Sequence, residues 1–133
     1  MLRISKLTDY STVVMSYLAR EPNKMHNARD IMAHTQLNLP TVSKILKMLH
    51  KAGLLRSQRG ANGGYSLMLP PESISITQIL AAMEGNVALT ECSTHHSHCS
   101  IESICHIRTN WRSISRIVQE SLSKITLADM LRP

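Results

Sequence analysis

The stretch from Asn27 to Leu69 constrains the chain most. Two short helical periods are separated by a tight turn, and two strand-like runs follow, hinged on Gly60-Ala61-Asn62-Gly63-Gly64. Asn27 is placed to cap the first helix, over 27–35, with Ala28, Ile31 and Met32 turned inward. Asn38 is placed to cap the second. Pro40 falls in its first turn, where a missing N–H costs nothing, and Gly53 stops it. Val42, Ile45, Leu46 and Leu49 stand at i, i+3, i+4 and i+7, one apolar face of an α-helix. Leu54–Ser57 and Tyr65–Leu69 then read as strands, because Gly and Asn between them accept the positive φ of a hairpin turn. A helix pair with an amphipathic second member, followed directly by a hairpin, is a helix-turn-helix with a wing. Pro70-Pro71 closes the unit.

The flanks read as helix. Leu7, Tyr10, Val14, Tyr17 and Leu18 set a helical period over 5–20, and Ser75 is placed to cap a helix over 75–84. Residues 85–105 are a loop rich in Cys, His and Ser, and helix is expected again from Ile101 onward. There Trp111, Ile114, Ile117, Val118, Leu122 and Ile125 make an apolar stripe outside the winged unit. In so small a protein such a stripe is expected to be buried against a second copy. With no Phe and one Trp, the core must come from Leu, Ile, Val, Met and Ala, which suits helices. The expected fold is therefore mainly α: a winged helix-turn-helix domain over 1–84 with a two-stranded β-wing, a ligand loop over 85–105, and a long C-terminal dimerisation helix over 106–133. The N-terminus lacks the apolar run of a signal peptide, and no window is long and apolar enough to span a membrane. A cytoplasmic protein is expected.

The formal net charge is +6, which favours a polyanionic partner. The charge is also patterned. From Ile31 to Pro71 there is no Asp or Glu, while Lys44, Lys47, Lys51, Arg56 and Arg59 all fall there. Lys44, Lys47 and Lys51 share one side of the second helix, away from Val42, Ile45 and Leu49. That side, with Thr41 and Ser43 near the helix start, suits phosphates and base edges of double-stranded DNA. Arg59 and Asn62 sit at the wing tip, where a guanidinium can enter the minor groove or hold phosphate. No Ser–His–Asp or paired-carboxylate pattern stands out, so an enzyme is not expected.

The three cysteines, Cys92, Cys99 and Cys105, fall in one polar loop with C-x6-C-x5-C spacing. An odd number clustered in one stretch is not a secreted disulfide framework. Paired C-x2-C zinc knuckles are absent. Three close thiolates can hold iron in a cluster if a fourth ligand comes from elsewhere. Zinc held by cysteine and one of the neighbouring histidines is the alternative, as is a winged-helix DNA-binding protein without a cluster.

Taken together, L-R-I-S-K-L-T-D-Y at the N-terminus, P-T-V-S-K-I-L-K-x-L in the second helix of the pair, R-G-A-N-G-G-Y in the wing and the three-cysteine loop resemble the Rrf2 family of regulators, of the IscR and NsrR type. E-G-x-x-A-L-T-E-C around Cys92 and the C-terminal T-L-A-D-M look most like its subgroup that regulates SUF-type iron–sulfur cluster assembly. The resemblance covers nearly the whole chain. It implies a homodimer with two crossed C-terminal helices, one iron–sulfur cluster per subunit (2Fe–2S or 4Fe–4S), and an imperfect palindromic operator. It places Cys92, Cys99 and Cys105 at the thiolate positions. Where some members carry a histidine as fourth ligand, this chain has Arg108, and His106 is out of register. Other members take an acidic ligand from the partner's first helix, and Asp9 stands at that position. Thr41, Ser43, Lys44 and Arg59 match the DNA-reading positions.

Overall fold

The computed structural model describes residues 2–133. Helix α1 spans Lys6–Arg20, α2 Ala28–Thr35 and α3 Leu39–Lys51; strands β1, Leu55–Gln58, and β2, Gly64–Leu67, follow; then come α4, Ile76–Glu84, α5, Arg108–Ser123, and α6, Leu127–Met130. Each N-terminus in the winged unit is set by a side chain that takes up an otherwise unpaired amide. Ser5 Oγ accepts from Thr8 N at 3.2 Å, Asn27 Oδ1 from Asp30 N at 2.9 Å, and Asn38 Oδ1 from Thr41 N at 2.9 Å. At α4 the cap is reciprocal, Ser75 with Gln78.

The core sits where α1, α3 and α4 meet. Val14, Met15 and Leu18 of α1, Ile31 of α2, all four expected apolar positions of α3, Leu55 of β1 and Ile79 of α4 are buried. Each of the larger side chains is worth roughly 1.5–3 kcal/mol on transfer from water. Leu7, Tyr10 and Tyr17 pack half-buried at its rim. β1 and β2 pair antiparallel in the register Leu55↔Leu67 to Gln58↔Gly64. The fold is thus mainly helical with one two-stranded antiparallel sheet, the wing.

The C-terminal part differs from the expectation in two ways. The helix expected from Ile101 begins at Arg108 instead. Ile101, Ile104 and Ile107 keep a helix-like spacing, but they are 54%, 71% and 57% exposed, so no burial offsets the cost of helix nucleation there. No side chain caps the new start at Ile107. The helix also stops short of the C-terminus. Thr126 and Asp129 cap a separate turn of helix, α6, and the backbone locks onto the segment before α4: Leu127 N donates to Ile74 O at 2.8 Å, and Ile76 N donates to Ile125 O at 2.9 Å. Leu127 is fully buried in the core. The last residues therefore fold back onto the winged unit, and Ile125 lies in the connection rather than on α5.

Candidate functional site

The interface begins with α3. Its inner face is buried, so its outer face is fixed by helical period, and Lys44, Lys47 and Lys51 are exposed there. Thr41 and Ser43, in the first turns, are half-buried. Arg59 and Asn62 are exposed in the hairpin turn. Arg56 is exposed as well, but strand alternation turns it to the opposite face from Ser57. There it lines a groove of about 460 Å³ with Asn23, Pro70 and Glu72. Among the described residues the ion pairs are Lys24–Glu21, Arg108–Glu102, Arg112–Glu102, Arg116–Glu120 and Arg132–Asp129. None involves the five cations of the acid-free stretch. With no carboxylate to displace, they are available to phosphate at no cost in broken pairs.

Sequence reasoning missed His50. In the last turn of α3, its Nε2 lies 3.2 Å from Ser57 Oγ on β1, and its ring stands edge-on to Tyr65 of β2, 6.1 Å between centroids. A seven-residue separation across a helix end carries no periodic signal. Only the hairpin register brings Ser57 and Tyr65 opposite each other and under His50.

The cysteine loop leaves α4 at Glu84. Gly85 follows with φ of 84°, a conformation that side chains rarely adopt. The loop is then tied to α5. Leu89 N donates to Ser115 Oγ at 3.1 Å, Arg112 Nε donates to Cys92 O at 2.8 Å, and Glu102 pairs with both Arg108 and Arg112. Arg108, at the position where the resemblance allowed a histidine ligand, is thus held by a carboxylate. Cys92, Cys99 and Cys105 are all free thiols and half-buried, and Cys92 Sγ lies 3.3 Å from Thr90 Oγ1. Asp9 is exposed on α1. Among the described residues no three His, Cys, Asp or Glu side chains converge tightly enough to hold a metal. The chemistry of the donor set fits an iron–sulfur group, since three unpaired thiols share one loop. Within the single chain, neither those thiols nor Asp9 are gathered into a finished cage.

The apolar stripe of α5 divides. Leu122 packs onto the core, and Val118, half-buried, lines an open groove of about 520 Å³ with Leu2, Ile4, Leu80 and Val87. Trp111, Ile114 and Ile117 remain exposed, as does Ile125 beyond the helix end.

Comparison with known proteins agrees with this architecture. The Rrf2 family model, described as "Iron-dependent Transcriptional regulator", matches residues 4–133. The chain is 30% identical over 132 residues to the HTH-type transcriptional regulator NsrR of Geobacillus kaustophilus, covering 98% of this chain and 90% of that protein. Its fold is similar to that of CymR, the global cysteine regulator of B. subtilis, with a TM-score of 0.76, 27% identity and coverage of 98% of this chain and 97% of the other. It is also similar to T. potens IscR, with a TM-score of 0.73, 29% identity and coverage of 98% and 86%. No helix among the described residues is long and apolar enough to cross a membrane.

Proposed function

The chain belongs to the Rrf2 family of DNA-binding transcription regulators, and within it we propose a cytoplasmic, homodimeric repressor that senses iron–sulfur cluster status and controls genes for SUF-type cluster assembly. The observation that carries the reading is the position of the three free thiols. All lie on the one loop that joins α4, the last helix before the cysteines, to α5, which presents the exposed apolar side chains. A loop so placed feels both the reading unit and the dimer helix.

Each part of the chain has a role in this reading. Lys44, Lys47, Lys51 and Arg59 supply the electrostatic grip, Arg56 on the other face of β1 adds only to the overall positive field, and Thr41, Ser43 and Lys44 reach base edges from the start of α3. Arg59 and Asn62 carry the wing to the flank of each half-site. Trp111, Ile114, Val118 and Ile125 contribute to the dimer, so the operator is an imperfect palindrome read by two equal heads. Cys92, Cys99 and Cys105 would hold the cluster, with the partner subunit's Asp9 as fourth ligand. When bound, the cluster supplies a centre whose integrity depends on iron and oxidants. The loop is already fastened to α5 through Arg112, Ser115 and the Glu102 pairs, and at its root Glu84 is bonded to Ser5 and Thr8 of α1. Drawing the three thiols together would therefore pull on both helices. A coupling of about 1–3 kcal/mol changes operator affinity five- to 150-fold.

Anaerobic purification and gel-shift titration test the reading. The wild type should be brown with iron and sulfide bound, and Cys92→Ala, Cys99→Ala and Cys105→Ala should each remove the colour and shift operator affinity. Binding should fall steeply with salt, with a slope near 0.9 for each phosphate neutralised, and Lys47→Ala should flatten it. Colourless protein carrying zinc, or equal affinity with and without the cluster, would overturn the sensing role. Retained family-type operator binding would still leave a DNA-binding regulator.

A further inference from the structure

We propose that His50 is a positioning residue for the wing: by holding Ser57 and Tyr65 from the last turn of α3, it sets the direction of the hairpin so that Arg59 reaches the minor groove beside the half-site. The inference rests on the reading that the wing meets DNA.

A two-stranded hairpin is marginal alone, and its direction relative to the helix before it is soft unless something packs against it. Here contacts from two sides hold β2. On one side, the segment before α2 pairs with it through backbone alone. His26 N donates to Tyr65 O at 2.9 Å, and Tyr65 N donates to His26 O at 2.8 Å. Gly64 permits that approach. It has φ of 138°, and a Cβ there would stand 2.3 Å from His26 O. On the other side the contact is made by side chains and comes from the reading helix itself. His50 Nε2 and Ser57 Oγ are 3.2 Å apart, and the His50 ring meets Tyr65 at 75° in an edge-to-face arrangement. Ser57 and Tyr65 are direct partners across the hairpin, so one imidazole engages both strands at the same level. Arg59 follows Ser57 by two residues, at the start of the turn. A rotation of the hairpin about its base is therefore amplified at Arg59. His50 is exposed and contributes nothing to the buried core, so this contact acts on the pose of the wing rather than on the stability of the fold.

An Arg in the minor groove prefers narrow A·T-rich segments, and it expresses that preference only if it arrives at the groove. If His50 delivers it, loss of His50 and loss of Arg59 should produce the same defect, and the two losses should not add.

The test uses the full-length protein and duplexes that keep one half-site while the flanking steps are changed from A·T to G·C. Arg59→Ala should lose the flank preference. His50→Ala should lose it equally, with affinity for the A·T-flanked duplex down about five- to tenfold, within the range of a single contact. The double variant should be no weaker than Arg59→Ala alone. His50→Gln, whose amide still reaches Ser57, should restore most of the preference. Thermal unfolding of His50→Ala should match the wild type. If the effects of His50→Ala and Arg59→Ala add fully, or His50→Ala keeps the flank preference that Arg59→Ala loses, the positioning role is overturned while the wing contact stands. If Arg59→Ala itself changes nothing, the wing contact fails and the proposal with it.

Discussion

Gln36 is the one residue other than glycine, among the described residues, with positive φ, at 65°. It ends α2 and makes the turn into α3, and its amide donates to Met32 O at 2.9 Å. A left-handed cap of this kind is normally glycine, because a Cβ is crowded there. The Gln36 side chain is exposed, so replacing it loses no core packing. Gln36→Gly should therefore stabilise the protein by about 0.5–1 kcal/mol, the relief of strain exceeding the extra freedom that glycine gives the unfolded chain. Chemical denaturation checks this: the midpoint should rise with the slope unchanged. At this scale the sequence was easy to read wherever a single side chain settles local geometry. Asn27, Asn38 and Ser75 each cap the helix expected of them. The turn at Gln36 carried no such mark, since glutamine has no preference for left-handed backbone.

At the scale of elements, the link between α4 and α1 matters most. Glu84 ends α4, where a carboxylate faces the unfavourable end of its own helix dipole, yet it reaches the favourable N-terminus of α1. The Thr8 hydroxyl donates to its Oε1 at 2.6 Å and Ser5 N at 2.8 Å. The bond from Thr8, then those from Ser5, hold the carboxyl below its ordinary value of 4.5. A carboxyl lowered on folding stabilises the native state above its ordinary value, and loses that contribution as pH falls through the lowered one. Glu84→Gln should thus lower the unfolding midpoint at neutral pH, and the gap to the wild type should close in acid. A gap that stays constant with pH would mean the ionised carboxylate is not what holds the two helices. The elements through α5 were legible by period and cap, but α6 was not separated from the long C-terminal helix expected. The bounds of α5 were not legible either, because the spacing of Ile101, Ile104 and Ile107 imitates a helix that nothing buries.

At the scale of the whole molecule, the exposed flank of α5 predicts assembly. Ile114 is 42% exposed in the single chain, with Trp111 and Ile117 beside it. Burying such side chains in a dimer is worth roughly 1.5–3 kcal/mol each, and a charge in their midst removes that gain and adds a desolvation cost. Ile114→Asp should sediment as a monomer at concentrations where the wild type is a dimer. It should bind a single half-site far more weakly than the dimer binds the palindrome, while retaining its helical circular dichroism. A wild type that sediments as a monomer would leave the flank of α5 without the role assigned to it.

The sequence by itself determined the local order of this protein: the helix pair and its caps, the glycine hinge of the wing, the acid-free basic stretch and the three thiols on one loop. Those features are written in residues a few positions apart, where period, backbone freedom and charge act directly. Only the tertiary structure decided that Leu127 returns to the core, that Leu122 turns toward the chain's own body while Ile114 and Trp111 do not, and that His50 grips the wing. Each of these depends on which surfaces meet after the chain has folded back. A meeting between distant segments is selected by the apolar area it buries and the backbone bonds it completes, and no local pattern records either.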